Sequence, residues 1–223
     1  ENIPESQITI ASRCQNVHFQ PISLEAMRNW LSDQGLNTER IELISSASRG
    51  DLSRANDLMN DTQVASRYEL WRSVPEKLGS EGYKVAIAVE EIQNAIDEAQ
   101  ETITNRHTQE TDELADHEKQ MGTRGSGRKE MEAKQKREIR RFRTDELHFG
   151  LSIITNIYKE ELMSAPNASS IQNIENIRKT MAALGRNPNE KLLLQSLFIS
   201  LSELKYESYS ILFFSAKFKK LAR

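Results

Sequence analysis

The chain has 223 residues, a formal net charge of −3 with 28% charged residues, and a mean hydropathy of −0.63. One cysteine excludes an internal disulfide and a multi-cysteine zinc site, and four scattered histidines without a His-Glu-x-x-His spacing offer a metal no starting point. The mild net charge points to neither nucleic acid nor membrane, there is no run of about 18 apolar residues to span a bilayer, and five prolines and nine glycines are too few for a many-turned β sandwich. No basic-then-apolar leader is visible at the start, so the reading is a helix-rich, all-α, cytoplasmic protein.

The chain opens on Ile8-Thr9-Ile10-Ala11-Ser12-Arg13-Cys14-Gln15-Asn16-Val17-His18-Phe19, an apolar segment, a Ser-Arg-Cys tripeptide and a short strand-like alternation. With no initiator Met before it, residues 1–20 read as the end of a domain that begins upstream, and the chain as a piece of a longer polypeptide. Ser23 is placed to cap a helix through about Asp33, with Leu24, Met27, Trp30 and Leu31 on one face and Gly35 at its end. A second helix, about Thr38 to Ser46, buries Ile41, Leu43 and Ile44 in part. Gly50-Asp51 breaks it and starts a third, with Leu52, Ala55, Leu58 and Met59 inward. Three short helices with narrow apolar stripes predict a small helical domain over 21–60.

From residue 61 the helices lengthen. Val64, Tyr68, Leu70 and Trp71 form an amphipathic segment closed by Pro75, and Val85, Val89, Ile92, Ile96, Ala99 and Ile103 then recur with spacings 4-3-4-3-4, the seam of a coiled-coil-like helix. Beyond Arg106 the sequence turns acidic and solvated, which places His107 and His117 on the surface, and 122–127 is a glycine-rich turn. Tyr83 to Met121 holds ten acidic and three basic residues, whereas Arg128 to Arg143 holds eight basic and three acidic. Opposite charge across a glycine turn predicts an antiparallel hairpin over about 83–146. Exposed pairs contribute only about 0.2–1 kcal/mol each, so the charges set orientation more than stability.

Leu147, Leu151, Ile154, Tyr158 and Leu162 share one face while Phe149, Ile153 and Ile157 line another, so that helix belongs at the centre of a bundle. After Pro166-Asn167 comes a helix with Ile171, Ile174, Ile177, Met181 and Leu184. Asn187-Pro188-Asn189-Glu190 then supplies a cap at Asn187, proline at the first helical position and glutamate at the third. The helix it starts, 192–201, is apolar nearly all round and is expected to be central. The second domain therefore spans 61–205, and 206–223 is an aromatic and basic tail, read as an extension rather than a docking segment.

The order of these features resembles the delta-prime subunits of bacterial DNA polymerase III clamp loaders, of the actinobacterial type. Ile10-Ala11-Ser12-Arg13-Cys14-Gln15 looks like the family's Ser-Arg-Cys motif at the close of the AAA+ nucleotide-binding domain. Ile44 to Ala55 is similar to the "sensor 2" junction of the small lid domain, and Lys134 to Leu147, leading to Tyr158-Lys159-Glu160-Glu161-Leu162, looks like the helical collar with its long inserted hairpin. Asn187 to Leu201 is similar to the last collar helix, and 206–223 matches nothing in the family.

The resemblance implies a non-hydrolysing structural subunit of a hetero-pentameric loader, not an enzyme by itself, packed through its collar beside gamma/tau and delta subunits. The complex would open a sliding clamp and place it on primed DNA, and no membrane partner is implied. Arg13 would reach a neighbour's ATP, where an arginine stabilises charge on the transferring phosphoryl group, with Ser12 and Cys14 orienting its loop. ATP and Mg would lie in neighbouring subunits, and no cofactor or metal would be bound by this segment. ATP-hydrolysing relatives carry an arginine three positions after the junction glycine. Here Ser53 stands three after Gly50 and Arg54 comes one step later, about 100° further round the helix and away from a phosphate. Arg137, Arg140, Arg141 and Arg143 are candidates for contact with a DNA backbone. A gamma/tau-type ATPase, or a stand-alone helical scaffold acting through the charged hairpin, are the alternatives.

Overall fold

The computed structural model of the chain describes residue 13 and residues 20–79, 81–121 and 127–202. All regular structure among them is α-helical, in eight helices: α1 Leu24–Asp33, α2 Thr38–Ser48, α3 Leu52–Asn60, α4 Val64–Lys77, α5 Gly82–Met121, α6 Arg128–Ser164, α7 Ala168–Leu184 and α8 Glu190–Leu201. None is long and apolar enough to cross a membrane. Strand-like 17–19, the turn 122–126 and the tail 206–223 lie outside the described residues. The chain divides into two compact units, Glu1–Asp61 and Thr62–Arg223.

In the smaller unit each helix starts on a side chain that accepts an otherwise orphan backbone N–H: Ser23 from Ala26, Asn37 from Arg40 and Asp51 from Arg54. Met27, Leu31, Ile44, Ala47, Ala55 and Leu58 fill the core. At the other end of the unit Arg40 donates to the carbonyls of Met59 and Asp61, satisfying the last turn of α3. The expectation for Leu52 fails, since it is 41% exposed. Three-residue steps each fall about 60° short of a full helical turn, so Leu52 and Leu58 stand about 120° apart and cannot share a narrow stripe. α2 runs two residues past the expected Ser46 and ends on Arg49 and Gly50, both left-handed, at φ 53° and 82°.

The larger unit is built around α6, 37 residues long, which packs against α4, α5 and α7, while α8 lies against α5 and α7. Burial of Leu147, Phe149, Leu151, Ile153, Ile154 and Tyr158 on α6 agrees with the central position read from its two apolar faces. The seam of α5 is buried at Val85, Val89, Ile92 and Ile96, as its 4-3 spacing requires. Pro75 does not close α4. The helix continues to Lys77, because a missing N–H in the last turn forfeits one bond only, and Leu78 N–H still reaches the Val74 carbonyl at 3.0 Å.

Two expectations near the C-terminal end are corrected. Asn187 is not the cap of α8: it sits at φ 53° with its N–H on the Leu184 carbonyl, finishing α7, and Asn189 caps instead by accepting from Leu192 N–H at 3.0 Å. Nor is α8 central. It buries Leu194, Leu197 and Phe198 but leaves Leu192 63% and Ile199 50% exposed, since only one side of it meets α5 and α7. Ile171, the first of the apolar residues spaced along α7, is likewise exposed.

Candidate functional site

Arg13 lies in a turn and is exposed, with no hydrogen bond or ion pair among the described residues. Ser12 and Cys14 fall outside the described residues. Gly50 holds the junction between α2 and α3 by two independent constraints. Its φ of +82° suits glycine, and a Cβ there would stand 2.7 Å from the Ile22 carbonyl oxygen and 2.8 Å from Pro21 Cβ. Ile22 N–H donates to the Gly50 carbonyl at 3.1 Å, so the chain entering α1 is laid directly on the glycine. Ser53 is exposed. Arg54 is half-buried, and its Nε points back to the Ala47 carbonyl at 3.4 Å, across the junction and onto its own unit.

The four arginines considered for DNA contact separate into two groups. Arg143 is turned inward. Its Nε donates to Glu190 Oε2 at 2.9 Å and its Nη2 to the same atom at 2.7 Å, while Nη1 reaches Asp97 and, at 3.0 Å, Gln100 Oε1. Burial works against its charge, but the hydrogen bonds it donates to Glu190 and Asp97 outweigh that and hold the guanidinium above its ordinary pKa. This arginine clips α5 and α6 to the first turn of α8 and is not available to a polyanion.

Arg137, Arg140 and Arg141 are all exposed and together line a cavity of about 260 Å³ whose other walls are Thr144 and Asp145 of α6 and Leu184, Gly185 and Asn187 at the end of α7. They share a surface because positions i, i+3 and i+4 are neighbours on a helix, and Thr144 at i+7 continues the row. The left-handed Asn187 turns the chain sharply after α7 and forms part of the far wall. Arg141 also faces Asp145 on its own helix at 3.7 Å. The sequence showed the basic row; the concavity depends on α7 ending opposite it.

The hairpin is antiparallel in fact: Asp97 meets Arg143, Glu138 meets Arg106 and His107, Glu110 meets Gln135, and Glu118 meets Arg128. Acid-on-α5, base-on-α6 polarity holds at the two ends and reverses at Arg106–Glu138. His107 is not a surface residue. It is 6% exposed, stands four residues after Ile103 and so continues the α5 seam, with Nε2 3.0 Å from Glu138 Oε2. Its carbonyl accepts from Gln135 Nε2 at 3.1 Å. His117 is exposed. The seam thus passes from apolar to polar beyond Ile103, with Glu118 also buried against Arg128.

This polar zone has a pH signature. Burial pushes the Glu138 carboxyl up, but hydrogen bonds from His107 and Arg106 and the charge of Arg106 outweigh it and hold the group below its ordinary 4.5. A depressed carboxylate stabilises the fold above its unfolded pKa, and the contribution disappears as pH falls through the folded value. Acidification below about pH 4.5 is therefore expected to lower the melting temperature partly through this site. Glu138→Gln should show a shallower decline over that range, measured by circular dichroism melts at stepped pH. An unchanged slope would remove Glu138 from the acid response.

Sequence reasoning missed one buried constellation. Arg67 of α4 and Glu146 of α6 form an ion pair with 2.9 Å between Nε and Oε2, and their side chains are 3% and 0% exposed. The signal was there: Arg67 occupies an apolar register position three after Val64 and four before Trp71, and Glu146 directly precedes the buried Leu147. A charge in each of two apolar faces implies that the two faces meet. No family model, curated protein or solved structure matches the chain.

Proposed function

We propose that this chain is a non-hydrolysing helical subunit of a bacterial clamp loader of the delta-prime kind, presenting Arg13 to the ATP bound by a neighbouring subunit. The observation that carries the reading is the order of parts along the chain. An exposed Arg13 is followed by three short helices with Gly50 locked at a junction between them, and then by a helical bundle whose last described helix leaves Leu192 and Ile199 uncovered. A subunit collar would pack through exposed apolar side chains, and Leu192 and Ile199, two turns apart on α8, share one side of the helix.

Arg54 supports the non-hydrolysing form over an ATP-binding one. Its guanidinium is directed at the Ala47 carbonyl of its own unit, and Ser53, in the position where ATP-hydrolysing relatives carry arginine, has no charge to offer a phosphate. An arginine supplied from outside a nucleotide site acts on the charge that builds on the transferring phosphoryl group. Its planar fork binds two oxygens at once, so its removal slows hydrolysis more than it weakens nucleotide binding.

The test is DNA- and clamp-stimulated ATP hydrolysis by a reconstituted loader containing the full-length protein, wild type against Arg13→Ala. A fall of roughly ten-fold or more with assembly intact by gel filtration is the expected result. Unchanged hydrolysis would take Arg13 out of the mechanism, and failure of the wild type to assemble would leave the stand-alone scaffold.

A further inference from the structure

We infer that the cavity between α6 and the end of α7 is a cradle for the phosphodiester backbone of a nucleic acid, held by Arg137, Arg140 and Arg141. The argument starts from charge. Three arginines and one carboxylate, Asp145, line about 260 Å³ from the α6 side, an excess of positive charge in a concave wall. Arg137 and Arg140 have no ion pair or hydrogen bond among the described residues, unlike Arg143 further along the same helix, which is claimed by Asp97 and Glu190. The acidic α5 therefore does not neutralise this stretch of α6, although charge balance in the hairpin gave reason to expect it.

Shape and chemistry then narrow the ligand. The volume is below the roughly 300–1,000 Å³ of typical small-molecule pockets, and the lining offers one apolar side chain, Leu184, so a bulky apolar ligand or cofactor has little to bury against. No aromatic side chain lines it, so nothing there stacks on a base. What remains is guanidinium forks, the Thr144 hydroxyl and the Asn187 amide: donors suited to the unesterified oxygens of phosphate and indifferent to sequence. The α7 C-terminus would repel an anion through its free carbonyls, but Ala183 and Leu184 already accept from Arg186 and Asn187 N–H, which removes part of that negative end. Because adjacent phosphates on one strand are spaced like neighbouring side chains on one helix face, a row at i, i+3 and i+4 suits a strand running along α6.

This site does not depend on the loader reading. The 223-residue chain alone is enough for the test: anisotropy of short labelled single-stranded and duplex DNA of unrelated sequences, titrated at several salt concentrations. Expected is sequence-independent binding whose log K falls with log salt at a slope of about −2 to −3, the neutralisation of two or three phosphates. Arg137→Glu/Arg140→Glu should weaken it at least roughly ten-fold and flatten the slope by nearly two. Arg72→Glu/Lys159→Glu makes the same change in net charge on exposed residues that do not line the cavity, and should cost less than about three-fold. Asp145→Asn, which removes the one carboxylate that lines the cavity, should tighten binding. Equal losses in the two double variants would overturn the cradle in favour of diffuse charge. So would competition by polyglutamate as effective as that by unlabelled DNA, or absence of binding by the wild type. All variants alter exposed or half-buried surface groups, and a melt identical to wild type checks that each is folded.

Discussion

Glu146→Ala is expected to destabilise the larger unit by about 3–5 kcal/mol, the largest single effect in the chain. Glu146 is fully buried and Arg67 nearly so, and their 2.9 Å contact joins α4 to α6 at the centre of the bundle. Taking Glu146 away removes the carboxylate that faces the Arg67 guanidinium in a low-dielectric interior, and the desolvation which that contact had offset reappears. The pair itself is a weak source of net stability, because two charges had to leave water to form it. Arg67→Met/Glu146→Leu, apolar and of comparable volume, should therefore recover most of the loss and match or exceed the wild type. Urea unfolding of the four proteins of this cycle gives the comparison directly. A single-variant loss under about 1 kcal/mol would mean that the site is hydrated in solution, and a double variant as weak as Glu146→Ala would mean that the pair contributes more than its desolvation costs.

Gly150→Ala should be the second most damaging change, by about 2–3 kcal/mol, although alanine is the better helix former. Gly150 sits within α6, where the missing Cβ costs on the order of 1 kcal/mol of helix propensity. A methyl group placed there would lie 1.9 Å from Trp71 Cε2 and 2.0 Å from Cδ2, well inside contact distance. Trp71 is 1% exposed and wedged between α4 and α6, so the indole has no open side to move into. The overpacking should win over the propensity gain. Trp71→Phe in the Gly150→Ala background should recover part of the loss by removing the ring that the methyl meets, while the same change alone leaves a cavity and destabilises. Thermal melts of the single and double variants decide it. A melting temperature for Gly150→Ala at or above that of the wild type would show that the helices separate freely at this point.

Local chemistry accounts for much of the helical layout. Ser23, Asn37 and Asp51 mark helix starts because each offers a side-chain oxygen to the backbone N–H three residues on, which needs no tertiary information. The same holds for the 4-3 seam of α5 and the two apolar faces of α6, where periodicity specifies which residues must be covered. Asn187 and Asn189 show the limit. Both are good caps at nearly the right place, and the choice fell to the left-handed turn that ends α7.

Residue types and their spacing were enough to establish that the described residues are all-α, where most of the helices begin, and that α5 and α6 return antiparallel, since capping, periodicity and charge act over a few residues. Packing decided the rest. Whether His107 is wet or buried, whether α8 is covered on one side or all round, and whether Arg143 or Arg137 is left with charge to spare each depend on which helix lies opposite. That information is carried by contacts between residues tens of positions apart, such as Arg67 with Glu146 and Trp71 with Gly150, and no local pattern encodes it.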